Sequence, residues 1–143
     1  DVGLGAASNA MAAIACFESS VKYATTRIQF DKPIGGFQLV QEKLVWMLNE
    51  ITKAQLLCWR LAHLKDSGNV RPQQISLAKR NNVWMALECA RLAREIHGAN
   101  GILDEYPVMR HAANLESVKT YEGTHDIHTL ILGQDITDLA AFN

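Results

Sequence analysis

From Phe37 onward the apolar residues return at alternating spacings of three and four: Phe37, Val40, Leu44, Met47, Ile51, Ala54, Cys58, Leu61. A strand alternates faces and would scatter this set, whereas a helix lines it up on one side. A helix over about 38–65 would be roughly 40 Å long at 1.5 Å per residue. The same spacing occurs earlier at Ala7, Ala10, Ile14, Phe17, Val21, Ala24 and Ile28. It occurs again at Ile75, Ala78, Asn82, Met85, Cys89, Leu92 and Ile96, with Asn82 the one polar interruption. Three long helices with packing seams are expected.

Turn-forming residues fall where these patterns stop. Asp31-Lys32-Pro33-Ile34-Gly35-Gly36 ends the first helix, and Asp66-Ser67-Gly68-Asn69, with Pro72 beyond, ends the second. Gly98-Ala99-Asn100-Gly101 ends the third, a helix C-cap accounting for both glycines. A shorter helix is expected around 105–118. Tyr121-Glu122-Gly123 breaks it, and Thr124 can cap a final helix over about 125–140. No stretch between these elements has a strand pattern. Short loops between long helices favour antiparallel neighbours, so residues 1–143 are expected to form a single all-α domain, an up-and-down bundle of about four to five helices.

Composition narrows the function classes. The chain has 143 residues, 48% of them apolar, and 14 Lys+Arg against 15 Asp+Glu leave a net charge of −1. No basic excess exists to hold a phosphate backbone, which argues against nucleic-acid binding. The longest uninterrupted apolar run, Ala10 to Phe17, is far shorter than the ~20 residues that cross a bilayer, and no signal-peptide pattern opens the chain. Cys16, Cys58 and Cys89 are odd in number, each within a helical pattern, which fits a reducing compartment better than a disulfide framework.

Three stretches could carry chemistry. Glu122 sits between Tyr121 and Gly123 in a break just before a helix N-terminus. Neighbours there can desolvate a carboxylate and raise its pKa, Gly123 admits a ligand to the backbone, and the following amides can donate to an oxygen. The plain alternative is a solvated loop glutamate. Arg27-Ile28-Gln29-Phe30 offers a guanidinium for a diphosphate and a ring to cover a flat ligand, or merely a helix-terminal Arg beside a core Phe. Glu95-Ile96-His97-Gly98-Ala99 could bring a ligand close to backbone, though no strand precedes it as a dinucleotide fingerprint requires. His125 and His128, with Asp126 between them, lack an evident third metal ligand. His63 and His97 show no constellation, and Lys79-Arg80 beside Asn81-Asn82 reads as a solvated face.

In order along the chain, Arg27 to Phe30, Gly36-Phe37-Gln38, Gly98-Ala99-Asn100-Gly101, Glu105-Tyr106-Pro107-Val108 and Tyr121-Glu122-Gly123-Thr124 resemble the C-terminal domain of acyl-CoA dehydrogenases. Within that family Asp104-Glu105-Tyr106, Arg110-His111-Ala112, Asn114-Leu115-Glu116 and Thr120 to His128 look most like the glutaryl-CoA dehydrogenase branch. The resemblance implies an FAD-dependent oxidoreductase that oxidises the α,β carbons of an acyl-CoA thioester. Glu122 matches the catalytic base, Gly123 a substrate contact, and Thr124 and Asp126 flavin contacts. Arg27, Phe30, Gln38 and the stretch Glu95, Ile96, His97, Gly98 and Ala99 match positions holding the FAD diphosphate and adenosine, commonly across a subunit boundary. Phe142 sits where a late flavin contact occurs. Many members have Gln where Glu95 stands, and Leu-Gly-Gly in place of His97-Gly98-Ala99.

In the glutaryl branch the enoyl thioester also loses its terminal carboxylate as CO2, giving crotonyl-CoA, a step of lysine and tryptophan breakdown. The resemblance further implies electron-transfer flavoprotein as acceptor, a homotetramer, and a bacterial cytoplasmic or mitochondrial matrix location. Other acyl-CoA substrates, or a non-catalytic helical interaction module, are the competing readings. Family members carry two further domains ahead of this one, so the abrupt start at Asp1 is expected to be a cut within a larger flavoenzyme. Trp46, Trp59 and Trp84 lie off the three seams and are candidates for intersubunit packing, against ordinary core filling.

Overall fold

The computed structural model describes residues 2–141, with side chains from residue 9 onward. Asp1, the side chain of Ala7 and Phe142 lie outside what is described. Among the described residues there are five helices: α1 (Val2–Thr26), α2 (Gln38–Asp66), α3 (Pro72–His97), α4 (Val108–Thr120) and α5 (His125–Thr137). The all-α bundle expected from the spacing is what forms, and the second helix falls within a residue of its expected ends. None of the described helices is long and apolar enough to cross a membrane.

α3 is the central element and packs on all four other helices. Its sequence suits that place. Ala78, Ala86, Ala90, Ala93 and Cys89 are fully buried, and small side chains let neighbouring backbones come close. Met47 from α2 and Met85 from α3 fill the remaining volume, both completely enclosed. The polar interruption at Asn82 is satisfied inside: its Nδ2 donates to Cys58 Sγ at 3.0 Å.

Cross-helix pairs fix the direction of each element. Ser19 and Tyr23, late in α1, meet His97 and Asn100 at the end of α3, so α1 and α3 run the same way. Lys43, early in α2, meets Glu95 late in α3, so α2 runs against them. Arg91 pairs with Glu116 of α4, Lys79 with the backbone after α4, Arg80 with Thr129 and Arg71 with Asp135 of α5. Falling positions on α3 thus meet rising positions on α4 and then α5. The up-and-down order holds through α4, but the Tyr121-Glu122-Gly123 break does not reverse the chain. α5 continues in the direction of α4.

Two local expectations are corrected. α1 stops at Thr26, before Ile28; the Thr25 and Thr26 hydroxyls donate back to the carbonyls of Val21 and Lys22 in its last turns, a competition with the backbone that weakens a helix end. Ile28 therefore leaves the seam and is 53% exposed. A two-stranded ribbon follows, β1 (Ile28–Gln29) pairing antiparallel with β2 (Lys32–Pro33). Its turn residues Phe30 and Asp31 have φ of 53° and 61°, the sense of a type I′ hairpin turn.

Candidate functional site

The site around Glu122 is built where α4 hands over to α5. Tyr121 ends α4 in extended conformation, and the chain then takes two left-handed steps, φ 54° at Glu122 and 91° at Gly123. A non-glycine residue there is strained by the contact between Cβ and its own backbone. Thr124 restores the helix as expected: its Oγ1 accepts from Ile127 N at 3.2 Å, capping α5. The double turn carries the Glu122 side chain outward, where it is exposed, as is Asp126 in the first turn of α5. The desolvation expected for the Glu122 carboxylate is not supplied by this chain.

Two side chains support the turn from inside. Lys79 is 3% exposed, which corrects its reading as part of a solvated face. Its Nζ donates to the carbonyl of Tyr121 and, at 2.6 Å, to that of Gly123. Burial lowers the Lys79 pKa and the Glu122 charge acts against that shift. His128, also buried, lies under Gly123, where an added Cβ would come within 2.9 Å of Nε2. Burial and the Lys79 ammonium lower the His128 pKa, with the Glu122 and Gly123 backbone and His125 as smaller influences of mixed sign. His125 is lowered by burial first, then by the charges of Arg80 and Lys119.

A second site lies at the other end of α3. Tyr23, Arg27, Gln29, Ile34, Ile96, His97, Gly98, Ala99 and Asn100 line an open cleft of ≈ 260 Å³. Five of the expected cofactor positions, Arg27, Ile96, His97, Gly98 and Ala99, thus come together. The His97 side chain is committed to the interior. Its ring is 1% exposed, stacks on Tyr23 at 4.5 Å, and bonds Ser19 Oγ at 3.1 Å and Ala93 O at 2.7 Å. It therefore does have a constellation, a structural one that holds α1 to α3. Gly98 caps α3 at φ 59°, but Gly101 is no cap. A Cβ there would sit 2.6 Å from the Arg94 carbonyl oxygen, so Gly101 permits a close passage of chain.

Three expected positions lie apart from this cleft. Phe30 stands at the ribbon tip, 85% exposed and edge-on to Phe37 at 6.0 Å. Gln38 lines a shallow groove on α2 with Gln41, Glu42 and Trp46. Glu95 pairs with Lys43 at 2.6 Å, and that hydrogen bond holds its carboxyl below the usual range. Core filling is excluded for Trp59 and Trp84, which are 67% and 48% exposed, while Trp46 packs partly on the core.

Comparison with known proteins places the chain as a whole in one family. Residues 3–137 match the family model described as acyl-CoA dehydrogenase, C-terminal domain. The crystal structure of glutaryl-CoA dehydrogenase from Mycobacterium smegmatis superposes with a TM-score of 0.92 and 55% identity, over 94% of this chain and 35% of that one. A glutaryl-CoA dehydrogenase from the same organism in complex with FADH2 gives 0.97 and 44%, over 99% and 37%. A 3-(aryl)acrylate reductase of Clostridium sporogenes is 31% identical over 93% of this chain and 36% of its own length. The chain spans about a third of the length of the relatives it matches. By its fold, its family-model match and its ordered motifs, the chain belongs to the acyl-CoA dehydrogenase family, as a C-terminal domain.

Proposed function

We propose that this chain is the C-terminal part of a larger FAD-dependent acyl-CoA dehydrogenase and that Glu122 is its catalytic base. The observation that carries the reading is the strained double turn that pushes the Glu122 carboxylate outward beside the N-terminus of α5. An α-proton of a thioester is only mildly acidic, so a base must be held in place to take it. Glu122 takes that proton, while Gly123 admits the thioester to the backbone. FAD, when bound, accepts the β-hydride. Arg27 and the exposed Gly98 and Ala99, which line the cleft at the far end of α3, would hold its diphosphate. The Lys43 partner neutralises the unusual carboxylate at Glu95 close by.

Lys79 and His97 are about 27 Å apart along α3. Glu122 and the cleft of one copy therefore serve different flavins, and a complete site takes residues from two copies. Exposed Leu48, Leu56 and Trp59 on α2 form an apolar stripe suited to such an assembly, which we take to be a homotetramer. Electron-transfer flavoprotein is the proposed acceptor.

Glutaryl-CoA is the proposed substrate, supported by the 55% identity to the mycobacterial glutaryl-CoA dehydrogenase. Glu122 would then also return its proton to the dienolate left by CO2 loss. The 31% likeness to the acrylate reductase supports a competing reading with a different acyl group and no decarboxylation. Label decides between them. The full-length protein is expected to release CO2 from glutaryl-CoA labelled in its distal carboxylate; flavin reduction without labelled CO2 would overturn the glutaryl assignment.

A further inference from the structure

The double turn at Glu122 has a counterpart inside the bundle that deepens the proposed base assignment and rests on it. We infer that Lys79 is the positioning residue for Glu122. One ammonium grips the two carbonyls on either side of that residue, those of Tyr121 and Gly123. When both carbonyls point inward to one donor, the residue between them is turned outward. That is the left-handed geometry Glu122 adopts despite its Cβ. The Lys79 ammonium also lies 5.8 Å from the Tyr121 ring centroid, so its stem and head both bear on the loop.

Packing gives no other reason for a lysine there. Ala78, Asn82, Val83 and Ala86 around it are buried, and an uncharged side chain at this position would fill the interior without the desolvation an ammonium incurs. The loop also cannot be held by the bundle alone, because α4 and α5 run on in one direction and leave the junction without a reversing turn. His128 closes the remaining side of Gly123, its ring against the Glu122 and Gly123 backbone, but it does not reach the carbonyl of Tyr121, which Lys79 holds. Without Lys79 the two carbonyls lose their shared donor, and the turn is free to relax toward right-handed backbone.

The test uses the full-length enzyme with glutaryl-CoA, following flavin absorbance in a single turnover and amide hydrogen exchange over 121–124. Lys79→Met keeps the stem and removes the donors. It is expected to slow flavin reduction by about 100-fold with KM changed less than about 3-fold. Amide exchange at Glu122 and Gly123 should rise about tenfold or more, with the α3 core unchanged. Lys79→Arg, which keeps charged donors, should recover at least about tenfold of the loss. In a Glu122→Gln background Lys79→Met should cost nothing further, because it acts through that carboxylate. If Lys79→Met does not fold, Lys79→Gln, retaining one donor, is held to the same comparisons. Unchanged flavin reduction, or an equal further loss in the Glu122→Gln background, overturns the inference. Full activity of Glu122→Gln alone instead overturns the base assignment and is read independently.

Discussion

Gly123 and Gly101 show how much a single missing Cβ decides here. At Gly123 the added atom would meet the His128 ring at 2.9 Å, on a backbone with φ of 91°. At Gly101 it would meet the backbone oxygen of Arg94 at 2.6 Å, an atom that cannot step aside. Gly123→Ala and Gly101→Ala are each expected to destabilise the protein by about 1–3 kcal/mol in urea denaturation. Only Gly123→Ala should also slow flavin reduction. Equal stability to wild type in either variant would contradict the close approach described. The thiols make a simpler case: burial pushes Cys16 and Cys89 up to about 12 and raises Cys58 as well. Alkylation of the folded protein at pH 8 should leave Cys16 and Cys89 unmodified, and their rapid labelling would show that the α1–α3 core opens. Glu122, the capping Thr124 and the glycines were legible as residues. Lys79 was not, because a single seam on α3 leaves it on the outer face. α3 is surrounded, so a second stripe containing Lys79, Val83, Ala86 and Ala90 is buried too.

Among the elements, α5 carries two of the three histidines that the fold holds low, His111 of α4 being lowered too, by burial first and then by Arg110. His125 and His128 of α5 are held below the ordinary histidine value of 6.5 in the fold, by burial first and by Lys79, Arg80 and Lys119 second. The unfolded chain takes up protons near 6.5 while the folded chain does not, so their contribution is complete above that pH. It is lost as pH falls from 6.5 through the lower folded values. Unfolding free energy should therefore drop between pH 7 and pH 5, and His128→Gln should lessen that drop. An identical acid slope in the variant would contradict the assignment. The long helices were readable because period 3.6 repeats over many turns. The ribbon was not, since Phe30-Asp31 lacks the Asn-Gly signal of a type I′ turn. The direction of α5 was also invisible: a short break reads as a reversal, and only the sequence of partners along α3 reveals continuation.

For the whole molecule, the separation of the two sites along α3 matters most. A flavin site drawing Glu122 from one copy and Arg27 from another predicts complementation. Glu122→Gln and Arg27→Ala subunits, each inactive alone, should regain about a quarter of wild-type activity when reassembled together, as random pairing yields intact sites at that frequency. No recovery would place both residues in one site within one copy. Sequence motifs located both clusters but could not separate them, because order along the chain carries no distance across a bundle. The central claim remains that Glu122 is the base. Single-turnover flavin reduction of the full-length Glu122→Gln enzyme by glutaryl-CoA tests it directly. A fall of at least about 100-fold is expected, with flavin content and acyl-CoA binding intact. Reduction within about threefold of wild type would contradict it.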